Sequence, residues 1–281
     1  MCGINGIYQF EKVDSTLEKV HKMNLVTTNR GPDFKSVFQD DDIILGHNRL
    51  AIIDLNKAAN QPYVSNDKNI ILTYNGEIYN YLSLKSELSQ FYEFKTNSDT
   101  EVIVAAYLHW GIEMLEHFDG MFAFALWDKR KNQFYLCRDR LGIKPLYYFE
   151  NQKSIIFSSS IKSINSFLEN KSKINKNDLF DFLSYGTVHS PNTILNDIKL
   201  VPRASYFKAG HEESSMVEYW NLFQNNKPSF NYSNIATKTR ELLFNSVQKR
   251  LISDVPFGLF LSGGIDSSLL VAAASKCSSK A

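Results

Sequence analysis

The 281-residue chain is poor in cysteine: Cys2, Cys137 and Cys277 stand far apart, and none has CxxC spacing. That excludes a disulfide framework and suggests no zinc site; Cys137 and Cys277 read as small buried hydrophobes or bystanders. Long apolar runs are missing too. No stretch approaches the roughly 18 residues that a membrane-spanning helix needs, and the N-terminus has no basic segment followed by an apolar one. The chain is therefore expected to be cytoplasmic, with no membrane partner. Charge of one sign is not in excess: the formal net charge is +1, and no Lys/Arg cluster tracks a phosphate backbone, so nucleic acid is not an expected partner. Internal repeats and low-complexity tracts are absent. What remains is a soluble composition, 43% hydrophobic and 22% charged, in a chain long enough for more than one domain.

Chemistry starts at Met1-Cys2-Gly3-Ile4. The small Cys2 side chain favours removal of Met1, which leaves a thiol and a free α-amino group on one carbon. A free cysteine thiol has a pKa of about 8.5 and an α-amino group one of roughly 7.7–8. An amine so close to ambient pH can take the thiol proton, as in N-terminal threonine nucleophiles. A cysteine at position 2 is by itself uninformative; the residues downstream give it weight.

Residues 3–10 read as a strand, 19–29 as a helix entering the Arg30-Gly31-Pro32-Asp33 turn, and 43–45, 50–54 and 70–74 as short strands. Ser98 with Glu101 three residues on reads as a capping box opening a helix over 102–110. Residues 121–127 are apolar on both faces and need cover on both sides, with 133–137 as the hairpin partner, a turn over 138–145, and strands at 146–149 and 154–157. Buried strands with a few amphipathic helices suggest a layered α+β sandwich. From 211 to 231 the pattern breaks, which reads as a domain end plus linker, and 235–252 reads as an amphipathic helix on a new core.

A second chemical centre lies near the end. A short apolar strand over 255–261 runs into Ser262-Gly263-Gly264-Ile265-Asp266-Ser267-Ser268, then a helix over 269–275. A Gly-rich turn between strand and helix offers backbone N–H groups at a positive helix end, a site for phosphate, and Asp266 can hold magnesium beside it. No Gly-Lys-Ser/Thr follows at Walker spacing.

A cysteine that can become N-terminal, followed much later by this loop, resembles the glutamine-hydrolysing asparagine synthetases. The resemblance runs through Arg30-Gly31-Pro32-Asp33, Gly46-His47-Asn48-Arg49-Leu50-Ala51-Ile52-Ile53-Asp54, Tyr74-Asn75-Gly76-Glu77-Ile78-Tyr79-Asn80, Ser98-Asp99-Thr100-Glu101, residues 120–128 and 138–148, and the Ser262 loop. It implies a class II glutamine amidotransferase domain over 1–223, a four-layer αββα sandwich of the N-terminal-nucleophile fold. Over 224–281 it implies a linker and the first helix, strand, loop and helix of an α/β ATP-pyrophosphatase-type domain. By that resemblance Cys2 attacks the glutamine amide, and Asn75 with the Gly76 N–H forms the oxyanion hole. Arg49 clamps the α-carboxylate beside Leu50 and Ile52, and Glu77 and Asp99 hold the α-ammonium. Leu261 lies against ATP, whose pyrophosphate rests on Ser262, Gly263, Gly264, Asp266, Ser267 and Ser268, with Mg2+ at Asp266. Aspartate, activated as an adenylate, is the implied acceptor of the ammonia, and a homodimer is the assembly to test.

Free glutamine is a zwitterion, so its pocket needs a cation and an anion near the nucleophile. Asn29, Ser160 and the Pro202-Arg203-Ala204 segment depart from the family pattern and leave a sugar or other carboxylate open as the acceptor. Family members run to roughly twice this length, so residues 229–281 are expected to form an incomplete domain with exposed apolar surface, and an inactive truncated remnant is the third alternative.

Overall fold

Strands that are apolar on both faces have to be covered on both faces, and two stacked sheets between helices meet that demand. A computed structural model describes residues 1–210, 214–223 and 232–277. Its strands are β1 (Gly3–Gln9), β2 (Phe34–Gln39), β3 (Ile43–Arg49), β4 (Tyr63–Val64), β5 (Ile70–Ile78), β6 (Gly120–Asp128), β7 (Gln133–Arg138), β8 (Tyr147–Glu150), β9 (Ser154–Ser158), β10 (Lys199–Leu200), β11 (Ser205–Ala209) and β12 (Ser214–Glu218). The helices are α1 (Thr16–Val26), α2 (Tyr81–Leu88), α3 (Asp99–Trp110), α4 (Met114–His117), α5 (Ile161–Phe167), α6 (Lys176–Tyr185), α7 (Ile235–Arg250) and α8 (Ile265–Cys277). One sheet has the order β10-β8-β9-β1-β3-β2 and the other β12-β11-β7-β6-β5-β4, with each neighbouring pair antiparallel.

Three apolar layers follow from the period-2 alternation. Ile4, Tyr8, Ile43 and Leu45 of the first sheet face Ile71, Ala123, Ala125 and Trp127 of the second. On the outer side of the first sheet, Ile7, Ile44 and Ile156 pack on Val20 and Met23 of α1 and on Ile164 and Phe167 of α5. Outside the second, Leu72, Tyr74, Ile78, Phe122 and Phe124 pack beneath Leu84 and Leu88 of α2 and Val102, Ile103 and Ala106 of α3. Each fully buried Ile or Leu contributes about 1.5–3 kcal/mol. The result is the four-layer αββα sandwich, and β6, with Phe122, Phe124 and Leu126 outward and Ala123, Ala125 and Trp127 inward, is covered on both sides as its sequence requires.

Several local expectations need correction. Residues 50–54 are not a strand; they leave β3 as a loop, with Asp54 in the left-handed region at φ 52°. The first helix starts and ends earlier than 19–29, and residues 28–30 form a 3-10 turn. Ser98 does cap α3, accepting from the Thr100 N–H at 3.2 Å. Glu101, however, does not close a capping box: it accepts from the Lys95 and Thr96 amides and the Thr96 hydroxyl, a buried carboxylate finding three nearer donors. Within 211–231, where a break was expected, β12 pairs with β11; residues 211–213 and 224–231 lie outside the described residues.

Residues 255–261 form no strand, because no described segment pairs with them, and the following helix starts at Ile265 rather than at 269. α7 and α8 close a small core around Val247, Ala273 and Ala274. The expected exposed apolar surface is present on this part: Phe260 and Ile265 are almost wholly exposed, and Leu261, Leu269 and Leu270 are exposed as well. Among the described residues no helix is long and apolar enough to cross a membrane.

Candidate active site

Cys2 stands immediately before β1, whose Gly3 is opposite Asn48 near the end of β3. That register brings Leu50 to the thiol: the Leu50 amide donates to Cys2 Sγ at 3.4 Å, and Sγ lies 3.7 Å from the Leu50 carbonyl. The Arg30 Nε donates to the Cys2 carbonyl at 3.0 Å and fixes the backbone of the nucleophile from the other side. Burial pushes the Cys2 thiol up, against the pull of the Leu50 N–H and the N-terminal charge. The ammonium of Met1, still in place before Cys2, moves the opposite way. Burial lowers it, Cys2 and Glu77 oppose the shift, and Lys144 and Arg30 reinforce it. A thiol that holds its proton more tightly suits general-base activation, and the base would be the amine that stands on Cys2 once Met1 is lost.

The edge of β5 supplies donors. β4 pairs only with Leu72 and Ile71, so beyond it the alternate N–H groups of Tyr74, Gly76 and Ile78 point off the sheet edge. Phe122, opposite Gly76, directs its own N–H and carbonyl to Asp139, consistent with Gly76 facing away from β6. Tyr74 N–H is taken by Gln61 Oε1 at 2.6 Å and Ile78 N–H by Asp99 Oδ2 at 3.1 Å. Gly76, between them, lines the cleft beside Cys2. The adjacent Asn75 is buried, and its Nδ2 has no hydrogen-bond partner among the described residues. A buried unpaired donor costs about 1–3 kcal/mol, which a cleft ligand bearing an acceptor would remove.

Two carboxylates line the same cleft. Asp99 is raised above the ordinary carboxylate range by burial, against the hydrogen bond from Tyr74. Glu77 is raised by burial and then by Asp99, while Lys144 opposes the shift. A cation placed between them would relieve both. Arg49 lies across the cleft, buried, with its terminal nitrogens turned into the loop after β3. Nη1 donates to Asn56 O at 3.1 Å and Asn60 Oδ1 at 2.7 Å; Nη2 donates to Ile53 O at 3.3 Å and to Asp54 O. All four acceptors are neutral, so a carboxylate would be the stronger partner. Cys2, Arg49, Leu50, Ile52, Asn75, Gly76, Glu77 and Asp99 thus converge on one cleft.

Residues 1–220 match the family described as glutamine amidotransferase domain. The chain belongs to that family. Residues 238–281 match a second family, asparagine synthase. The putative asparagine synthetase (glutamine-hydrolyzing) 2 of Methanocaldococcus jannaschii is 40% identical, over 96% of this chain and 56% of its own length. Asparagine synthetase B (glutamine-hydrolyzing) of Escherichia coli is 33% identical, over 98% of this chain and 45% of its own. The chain spans about half the length of the curated relatives it matches. Among solved structures, the glutamine phosphoribosylpyrophosphate amidotransferase from B. subtilis, complexed with ADP and GMP, aligns with a TM-score of 0.57 at 16% identity, covering 98% of this chain and 64% of that one. That likeness is one of fold.

The amidotransferase cleft also contains residues that motif reading did not assign. Met1 lines it beside Cys2, so losing Met1 would open space as well as free the amine. Tyr74 and Gln61 satisfy Asp99 and the strand edge. Lys144 is buried in the lining, with its ammonium lowered by burial and drawn back up by Glu77 and Cys2. Its turn is built by Asp139, which accepts from the Leu141, Ile143, Lys144 and Phe122 amides, and by Arg138, which donates to the Gly142, Lys144 and Val201 carbonyls. The sequence signal was the ordered Arg138-to-Lys144 turn itself, with a cation at its exit.

The Ser262 loop lies apart from this cleft and is exposed. Gly263 adopts φ +83°, a conformation that suits glycine, and a Cβ there would meet nothing within 4 Å. Ser267 and Ser268 turn their hydroxyls back to the Gly264 carbonyl at 3.1 and 2.8 Å, and the Ser262 and Ser267 hydroxyls lie 3.0 Å apart. Three hydroxyls at the N-terminus of a 13-residue helix fit a phosphate group. Asp266 is the loop's one carboxylate, and the described residues hold no cluster of three or more His, Cys, Asp or Glu, so a magnesium ion there would share its ligation with phosphate oxygens.

Proposed function

We propose that residues 1–223 form a glutaminase in which Cys2, freed of Met1, hydrolyses glutamine to glutamate and ammonia. The thiol attacks the side-chain amide carbon, and its proton passes to the α-amine and then to the departing ammonia. Water hydrolyses the thioester and regenerates the thiol. The donors on β5 support this most: the unpartnered Asn75 Nδ2 and Gly76 line the same cleft as Cys2, and donors of this kind would stabilise an oxyanion formed there. Arg49 keeps Nη2 on the Ile53 and Asp54 carbonyls and takes the α-carboxylate through Nη1, in exchange for Asn56 O and Asn60 Oδ1, flanked by Leu50 and Ile52. Asp99 and Glu77 take the α-ammonium.

In a complete protein the ammonia would amidate an aspartate side chain, giving asparagine. Residues 224–281 would begin the domain that does this. There, ATP with Mg2+ would activate the carboxylate as an adenylate, with AMP and pyrophosphate released. Ser262, Gly263, Gly264, Ser267 and Ser268 would hold the pyrophosphate, Asp266 the metal, and Leu261 would lie against the nucleotide. A cytoplasmic setting belongs with this chemistry, and sedimentation of the purified chain tests a homodimer.

The decisive experiment is glutamate release from glutamine by the purified chain, with loss of Met1 checked by intact mass, beside Cys2→Ala. Release that disappears in the variant is expected. Equal release from the variant would remove Cys2 as nucleophile.

A further inference from the structure

Arg49 is aimed by a loop that is itself held from residue 254, in the part that matches asparagine synthase. Asp254 grips the 52–54 segment at two points: its N–H donates to the Ile52 carbonyl at 3.0 Å, and its Oδ2 accepts from the Asp54 N–H at 2.7 Å. The next two carbonyls of that segment, Ile53 O and Asp54 O, receive the Arg49 Nη2. The Asp54 side chain continues the connection, accepting from the Asn56 N–H at 3.1 Å and, through Oδ2, from the Asn97 N–H at 2.7 Å. Asn97 directly precedes Ser98, the cap of α3, and Asp99. Asp54 sits at φ 52°, a backbone region that residues other than glycine enter only when their surroundings hold them there.

We infer that Asp254 is a positioning residue of the glutamine pocket, clamping the 52–54 segment so that its carbonyls place Arg49 for the substrate carboxylate. This rests on the assignment of Arg49 as the carboxylate partner. Asp254 touches no reacting atom; it acts through Ile52 and Asp54. Its consequence is a physical link between the two parts of the chain. Any movement of residues 252–255 relative to the sandwich changes the donors and acceptors around the 52–54 segment, and with them the aim of Arg49.

The test is calorimetric titration of glutamine into the Cys2→Ala chain, which cannot turn over, so that loss of hydrolysis in the parent and failure of the clamp are separate results. Adding Asp254→Ala is expected to weaken glutamine binding about five- to tenfold, the net worth of one ordinary hydrogen bond, since the loss acts on Arg49 only through the loop. Asp254→Asn keeps an acceptor oxygen for the Asp54 N–H and is expected to bind like the parent. In chains that retain Cys2, the rate of its alkylation by iodoacetamide, which needs neither Arg49 nor Asp99, is expected to be unchanged by Asp254→Ala. Unchanged glutamine affinity in Asp254→Ala overturns the clamp. So does an altered alkylation rate, which would mean a general loosening around Cys2. Weakening by Asp254→Asn equal to that by Asp254→Ala overturns the hydrogen-bonded form of the clamp, and failure of Cys2→Ala itself to bind glutamine removes the pocket that the clamp would position.

Discussion

The Tyr74 hydroxyl donates to Asp99 Oδ2 at 2.7 Å, and the Ile78 amide donates to the same oxygen at 3.1 Å. One oxygen of a buried carboxylate is thereby satisfied by the strand beneath it, and Asp99 Oδ1 takes a long 3.4 Å contact from the Ser98 hydroxyl. Tyr74→Phe takes away the hydrogen bond that most opposes the upward shift of Asp99. Unfolding in urea is expected to show a loss of about 1.5–3 kcal/mol. Glutamine KM is expected to rise more than kcat falls, and to rise most at acidic pH, where the further-raised Asp99 is protonated.

Gly76 has no room for a side chain. A Cβ there would stand 2.4 Å from the Met121 carbonyl oxygen and 2.8 Å from the Phe122 Cα, both backbone atoms of β6. Gly76→Ala therefore has to move the strand edge that presents the N–H. Loss of an oxyanion donor is worth about 10²–10³ in kcat, and a fall of that size in glutaminase kcat is expected, with Cys2 still alkylated by iodoacetamide.

Lys144 interacts with both Glu77 and the Cys2 thiol, and with Arg30 it lowers the Met1 ammonium. Once Met1 is lost the amine stands on Cys2 and acts as a base only when neutral, so glutaminase activity rises with pH as that amine loses its proton. A cation beside Cys2 favours the neutral amine, and Lys144 also lowers Glu77. Lys144→Met is expected to raise the amine and Glu77 together, and both changes move the acid limb of kcat/KM to higher pH. Lys144→Arg keeps the cation and is expected to restore the limb; a limb unchanged in Lys144→Met would show that the ammonium has no part in it.

His47 lies between the sheets with Nδ1 3.1 Å from Thr73 Oγ1, and burial lowers its pKa from 6.5 to about 3, with Arg49 acting in the same sense. The unfolded chain therefore takes up a proton below pH 6.5 that the folded chain refuses until about pH 3. Stability from this residue is complete above 6.5 and is lost as pH falls, at about 1.4 kcal/mol per pH unit. His47→Gln is expected to flatten the urea midpoint between pH 7 and pH 5 relative to the parent.

Much of this was legible along the chain because it depends on near neighbours. The two-sided apolar run of β6 demanded cover on both faces, and Ser98 was readable as a cap because its partner is two residues away. Residues 50–54 and 255–261 look like strands by composition, yet a strand also needs an edge to pair with, which composition does not supply. Glu101 fitted a capping box by spacing, but the Lys95 and Thr96 amides were folded onto it instead. Tyr74 and Lys144 stood in motifs that gave them no role, and Gln61 and Asp254 stood in none. Each matters through a residue far from it in sequence.

The amino-acid sequence alone determined the layered sandwich, which follows from residue type and alternation that the chain carries locally. Its ordered motifs, through the family they resemble, named Cys2 as the proposed nucleophile and the residues proposed around glutamine. Only the tertiary structure decided which N–H on the β5 edge is left for the cleft, that Arg49 is held by loop carbonyls, and that residue 254 holds that loop. Those outcomes depend on hydrogen bonds that close loops of many residues, such as Cys2 to Leu50 and Asp54 to Asp254. A donor's partner is then set by which strands end first and where the chain turns back.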